Sequence, residues 1–236
     1  MVYEIPNILK GNRIETRYHD RAQAGRVLAS MLTPYANRRD VLVLALPRGG
    51  VPVAYEVAKA LHVPLDVFLV RKLGVPGHEE LAMGAIATGG VRVINEDVVR
   101  TLYMPPQVLD AVAFREEREL ERRERLYRDN RPLPVVRDQT VILIDDGLAT
   151  GATMRAAVQA LRVQAPAKIV VAVPVAAYWT YHQLSTEVDE IICPQTPEVF
   201  YGVGWWYEDF SQTSDQQVRE LLSLAAHENP AFTSKR

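Results

Sequence analysis

Two adjacent acids stand directly before a loop of small and hydroxylated residues: Asp145-Asp146, then Gly147-Leu148-Ala149-Thr150-Gly151-Ala152-Thr153. Four β-formers, Val141-Ile142-Leu143-Ile144, run into the acids, and a helix is expected over Thr153–Gln164, so the loop should join a strand to a helix amino terminus. Backbone N–H groups at such a terminus are unsatisfied and favour negative charge. Gly147 and Gly151 let the chain approach a phosphate closely, and Thr150 and Thr153 can add hydroxyl donors. Carboxylates repel phosphate but accept hydrogen bonds from sugar hydroxyls. A ligand with a diol about one ribose away from a terminal phosphate explains both halves, and ribose 5-phosphate is such a ligand. Successive strand side chains face opposite ways, so both acids reach it only if the strand is already turning at Asp146; otherwise one of them braces the loop. A helix cap with two solvent-facing acids is the plainer reading of the same residues.

Rival phosphate motifs fit poorly. A Walker loop needs Gly-Lys-Ser/Thr and no lysine is present here; the G-x-G-x-x-G of a dinucleotide site is also absent. A second candidate anion site is Pro47-Arg48-Gly49-Gly50, where Arg48 supplies a permanent forked cation and Gly49 and Gly50 expose backbone N–H groups, a combination suited to a diphosphate. Alone, it could equally be a tight turn with an exposed arginine. Arg71-Lys72 leads into Leu73–Gly84, whose three glycines and one proline leave few ways to form a stable helix or strand. Lys72 is the stronger candidate there for binding diphosphate, and His78, Glu79 and Glu80 are candidate acid/base groups. Residues 196–210 are dense in aromatics, among them Phe200, Tyr201, Trp205, Trp206 and Tyr207, and could stack a planar acceptor or cover the core edge.

The elements that must position these residues alternate strand and helix. Val41–Leu46 is a continuous apolar run, as in a strand buried on both faces of a parallel sheet, with helices at 20–32 and about 51–61. Strands at Leu65–Val70, Thr140–Asp145, Lys168–Pro174 and Val188–Cys193 and a helix at Tyr178–Leu184 continue the rhythm. This predicts an α/β fold with a doubly wound parallel sheet. Two segments interrupt it: a hairpin over 85–94 turning at Gly89-Gly90, and a long charged helix from Pro105 to Asn130. Its Arg and Glu are nearly balanced, as in a solvated helix laced by i, i+4 ion pairs; a partner-binding or dimerisation arm is the other reading.

The 236 residues suit a single domain, with a core over about 40–195, the inserted hairpin and helix at 85–130, and a carboxyl-terminal hood and helix at 196–228. No apolar run approaches the ~20 residues of a membrane span. The first residues lack the pattern of a secretory signal, and Cys193, the sole cysteine, has no internal disulfide partner, so the cytoplasm is expected. A net charge of −2 gives no electrostatic case for nucleic acid.

The run of apolar residues, two acids and a loop ending Thr-Gly-x-Thr resembles the type I phosphoribosyltransferases, over roughly residues 40–210, and most closely a bacterial group whose acceptor is unassigned. Gly147 stands where many members carry a branched apolar residue. The resemblance implies magnesium-dependent transfer of a phosphoribosyl group from 5-phosphoribosyl-1-diphosphate to an unidentified small-molecule nitrogen acceptor, with Mg bound mainly through substrate. It implies catalytic roles for Lys72, Asp145 and Asp146. It further implies that Arg48, Gly49 and Gly50 form the diphosphate loop, often with a cis peptide. Arg71 with Lys72 would precede a mobile loop that closes over the reacting centre. Gly147, Leu148, Ala149, Thr150, Gly151, Ala152 and Thr153 would hold the 5-phosphate, and Phe200 would contact the acceptor. A homodimer is possible. The alternative is a regulatory module that binds the diphosphate or a nucleotide without turnover.

Overall fold

Val41–Ala45 (β1) is buried at every position, and its side chains divide between two cores: Val41, Val43 and Ala45 enter one, Leu42 and Leu44 the other. Strand side chains alternate, so an all-apolar run is stable only where both sheet faces are covered. The computed structural model, which describes residues 17–129 and 131–228, contains that arrangement. β1 pairs in parallel with β2 (Leu65–Val67) on one side and β6 (Thr140–Ile144) on the other, and the sheet continues through β7 (Lys168–Ala172) to β8 (Glu190–Ile192). Helices α1 (Arg21–Met31), α2 (Gly50–Leu61) and α7 (Asp215–Glu228) contribute to the first core, and α5 (Ala152–Val163) to the second. From β1 the chain steps outward to β2 and then crosses back to β6. The carboxyl ends of β1 and β6 therefore flank the change of direction, where doubly wound sheets bind ligands.

The doubly wound sheet is as expected, and α6 occupies Tyr178–Leu184 as expected. Two expectations need correction. The strand expected over Leu65–Val70 stops at Val67, because Leu69 exchanges hydrogen bonds with Thr88: Leu69 N–H donates to Thr88 Oγ1 and Thr88 N–H to the Leu69 carbonyl, both at 2.9 Å. This pulls the chain into a second, antiparallel sheet of β3 (Val70–Val75), β4 (His78–Ala87) and β5 (Val91–Ile94). Residues 73–84, expected as a structureless mobile loop, thus form most of a hairpin. Leu73, Val75 and Met83 are buried, Gly77 turns the chain at φ +80°, and register shifts around Gly74 absorb the mismatch. Gly84 lets β4 approach β5, since a Cβ there would strike the Val93 carbonyl.

After a short α3 (Glu96–Thr101), the charged helix α4 runs from Pro106 to Arg128. Its expected ion pairs are present, with Arg122 and Arg123 both 2.8 Å from Glu119. It is not wholly solvated, however. Val112, Ala113, Leu120 and Tyr127 are buried, and Arg128, 2% exposed, donates to Asp66 (3.1 Å) and the Val67 carbonyl (2.6 Å), pinning the helix end to β2. The hood is stitched to the segment before α1: Tyr18 N–H donates to the Trp206 carbonyl and Glu208 N–H to the Tyr18 carbonyl, each at 2.8 Å. No helix among the described residues is long and apolar enough to cross a membrane.

Candidate active site

The acids follow β6 at the switch between β1 and β6, and the bonds around them differ. Asp146 N–H donates to Asp145 Oδ1 (2.8 Å), the Asp146 carbonyl accepts from the Tyr207 hydroxyl (2.6 Å), and Asp146 Oδ2 accepts from Arg21 Nε (2.9 Å). Burial pushes the Asp145 carboxyl well above the usual carboxylate range, and the neighbouring Asp146 adds to the rise. Burial raises Asp146 as well, opposed by the charge and hydrogen bond of Arg21. The sequence reading did not single out Arg21, and it placed Tyr207 only among the aromatics of 196–210. The one available signal for Arg21 was a cation in the first turn of a helix capped by Asp20, the unfavourable end of the macrodipole.

The loop after β1 is pressed against the same acids. A Cβ on Gly49 would fall directly on the Asp146 carboxylate, and one on Gly50 would lie 2.7 Å from the Ile144 carbonyl and 2.9 Å from Asp145 Cα. Glycine at both positions is thus a steric condition for bringing the two loops together. The Pro47–Arg48 peptide is cis, the backbone form implied by the resemblance. Arg48 is half-exposed, and its Nη1 lies 3.8 Å from Asp215 Oδ1 at the start of α7; the same oxygen accepts from the Tyr127 hydroxyl at 2.6 Å.

Beyond the acids, the carbonyls of Leu148, Ala149 and Thr150 are all taken by protein donors: Ala177 N–H (2.9 Å), the Thr180 hydroxyl, and Arg155 Nη1 (2.9 Å). With those carbonyls turned to one side, the N–H groups of Ala149, Thr150 and Gly151, which donate to no protein atom among the described residues, are left for an anion at the amino terminus of α5. Leu148 also lines the recess described next. Its N–H donates to the Val175 carbonyl (2.9 Å) and its side chain is buried, so it anchors the loop instead of offering a donor. Asp145, Gly147, Thr150, Gly151, Ala152 and Thr153 line one recess of about 180 Å³. A larger open cleft of about 860 Å³ between α4 and α7 meets this site only through Asp215 and carries none of its loops.

The other candidates stand on the second sheet and in the hood. Arg71, on β3, donates Nε and Nη2 to Glu116 Oε2 of α4 (2.9 and 2.6 Å). Lys72 is an exposed β3 residue opposite Ala85, and His78 is exposed at the start of β4; Glu79 and Glu80 belong to the same strand. Phe200 stacks on buried Trp206 with ring centroids 6.3 Å apart, while Tyr201 and Trp205 are exposed.

The phosphoribosyl transferase domain family model matches residues 77–207. Two Mycobacterium tuberculosis proteins, from strains CDC 1551 / Oshkosh and ATCC 25618 / H37Rv, carry a provisional phosphoribosyl transferase name. Each is 45% identical to this chain over 208 residues, covering 88% of this chain and 47% of the relative. The chain therefore spans about half the length of the curated relatives it matches. Among solved structures, TT1426 from Thermus thermophilus is similar with a TM-score of 0.79 and 40% identity, over 88% of this chain and 98% of that one. With two acids between a glycine-backed loop and an anion cradle at the switch of a doubly wound sheet, and with relatives of this similarity, the chain belongs to the phosphoribosyl transferase family.

Proposed function

We propose that this chain transfers the phosphoribosyl group of 5-phosphoribosyl-1-diphosphate to a nitrogen nucleophile and releases diphosphate. The observation that carries the reading is the junction of the two loops, in which Gly49 and Gly50 abut Asp146 and Asp145 so closely that a methyl group would not fit. A cation-bearing loop, a pair of acids and an anion cradle therefore open side by side, in the order in which diphosphate, sugar and 5-phosphate follow one another in the substrate. The free N–H groups of residues 149–151 and the hydroxyls of Thr150 and Thr153 take the 5-phosphate. Asp145 accepts from the sugar hydroxyls, and Arg48 with the Gly49-Gly50 backbone takes the diphosphate, joined by Lys72. The nucleophile attacks C1 opposite the diphosphate; the C1–O bond breaks with its electron pair leaving on the diphosphate, and the nucleophile loses its proton to solvent. Positive charge on the sugar ring in the transition state is met by the adjacent acids. Exposed Tyr201 and Trp205 offer faces for a planar acceptor.

Among the described residues no group of three His, Cys, Asp or Glu side chains could cage a metal. Magnesium would be carried on substrate oxygens, since Mg keeps its geometry best with phosphates and water. When bound there, it would neutralise charge on the leaving group.

The test is diphosphate release from purified protein given phosphoribosyl diphosphate, magnesium and a panel of bases, amines and amides. Release that depends on one acceptor class supports transfer. Tight binding with no release from any acceptor would leave a sensor, and no binding of phosphoribosyl diphosphate would overturn both.

A further inference from the structure

Arg21 stands outside the two loops just described, on the helix that precedes the core, yet it bonds directly to the second acid. Its side chain is 11% exposed and that of Asp146 14%. Nε donates to Asp146 Oδ2 (2.9 Å), Nη1 donates to the Ser211 carbonyl (2.8 Å), and the guanidinium centre lies 4.0 Å from the Phe210 ring centroid. Phe210 is itself held close, since a Cβ on Gly204 would lie 2.8 Å from its Cδ1. One planar cation is thus stacked on the hood, bonded to the hood backbone, and aimed at the second acid.

Asp146 has little freedom left. Its amide donates to Asp145, its carbonyl accepts from Tyr207, and its Oδ2 sits between Arg21 and Gly49. Asp145 differs: one oxygen accepts from the Asp146 amide, and the residue lines the recess with the cradle.

We infer that Arg21 is a positioning residue of the phosphoribosyl site, a latch from α1 to the hood that fixes Asp146 as the wall of the Gly49 loop and leaves Asp145 as the acid facing the sugar. The inference rests on the proposed reading of the acids as sugar ligands, but its geometry does not. Arginine suits the task because its fork can donate in two directions while its face stacks, which a lysine cannot reproduce.

The experiment compares Arg21→Ala, Arg21→Gln and Arg21→Lys, each checked for fold by circular dichroism, using ribose 5-phosphate as the calorimetric probe. Loss of a charge-assisted bond to a buried acid should weaken binding by about tenfold in the Ala and Gln variants, with partial recovery in Lys. In a cycle with Asp146→Asn, removing Arg21 as well should cost no further affinity, because the two act as one unit. A ligand-independent readout is the ¹³Cγ resonance of Asp146 in aspartate-labelled protein, which should move in Arg21→Gln far more than that of Asp145. An unmoved Asp146 signal, or additive losses in the cycle, overturns the latch. If the wild-type protein binds no ribose 5-phosphate, the phosphoribosyl reading fails while the carbon signal still decides the role of Arg21. Should Arg21→Ala not fold, the Gln and Lys variants carry the same comparison.

Discussion

Gly147 and Val203 share one place in the structure: a Cβ built on Gly147 would lie 2.7 Å from Val203 Cγ1 and 3.1 Å from Val175 Cγ1. Where the acid–cradle motif in related sequences carries a branched side chain, this chain fills the space from the hood. Gly147→Val should therefore overpack the cradle, cost about 1–3 kcal/mol and weaken ribose 5-phosphate binding, with Val203→Ala in the same chain restoring part of both. Urea unfolding and calorimetry measure the two effects. Wild-type stability and affinity in Gly147→Val would mean that Val203 moves aside freely.

Asp145 is expected to be costly to the fold. Its folded-state carboxyl lies well above the ordinary 3.8. At pH below that ordinary value both folded and unfolded forms are protonated and no penalty exists. As the pH rises the unfolded chain ionises first, so folded stability falls until the raised folded value is passed. Asp145→Asn keeps an oxygen for the Asp146 amide and removes the penalty. The variant should match wild type at acid pH and exceed it at neutral pH, each ~1 kcal/mol appearing as roughly 2–4 °C in the melting temperature. It should also lose ribose 5-phosphate binding. A neutral-pH melting temperature below wild type would contradict the assigned burial.

Arg128 is the buried end of α4, and burial raises Asp66 against the opposing charge of Arg128. Arg128→Met leaves that acid without its main counter-charge and should destabilise by about 3–5 kcal/mol, while Asp66→Asn added to Arg128→Met should recover much of the loss. Chemical denaturation decides it; equal stabilities of the single and double variants would show that the pair is not coupled.

The hairpin of β3 and β4 changes what hydrogen exchange should report. Ladder amides at 73–75 and 82–84 should exchange slowly in the free protein, with phosphoribosyl diphosphate and magnesium slowing only the tip around 76–80. Fast exchange throughout 73–84 without ligand would restore the mobile loop.

Features written in contiguous residues were legible beforehand. The apolar run at 41–46 reads as a doubly covered strand, and the acids at 145–146 read as a strand end before 147–153. Harder were places where one local pattern serves two structures. Gly74, Gly77 and Gly84 read as loop formers, yet they provide a bulge, a turn and a close strand approach. Arg128 sits in a run of charges like its neighbours, and only the packing of β2 against the helix end makes it a buried cation. Arg21 is 125 positions from the acid it holds, a distance over which local periodicity carries no information.

That separation bears on how the protein reaches its native state. Arg21 bonds to Asp146 and, 190 positions away, to Ser211, so the complete constellation needs both ends of the described chain at once. A contact of such long range carries a loop-closure cost repaid late, and it is unlike the local turns that form early. A nascent chain that has built β1 through β6 would still lack its hood and the Ser211 contact of Arg21. If these long-range contacts form late, ligand should slow unfolding and leave the refolding rate nearly unchanged, and a refolding rate that rises with ligand would place them early.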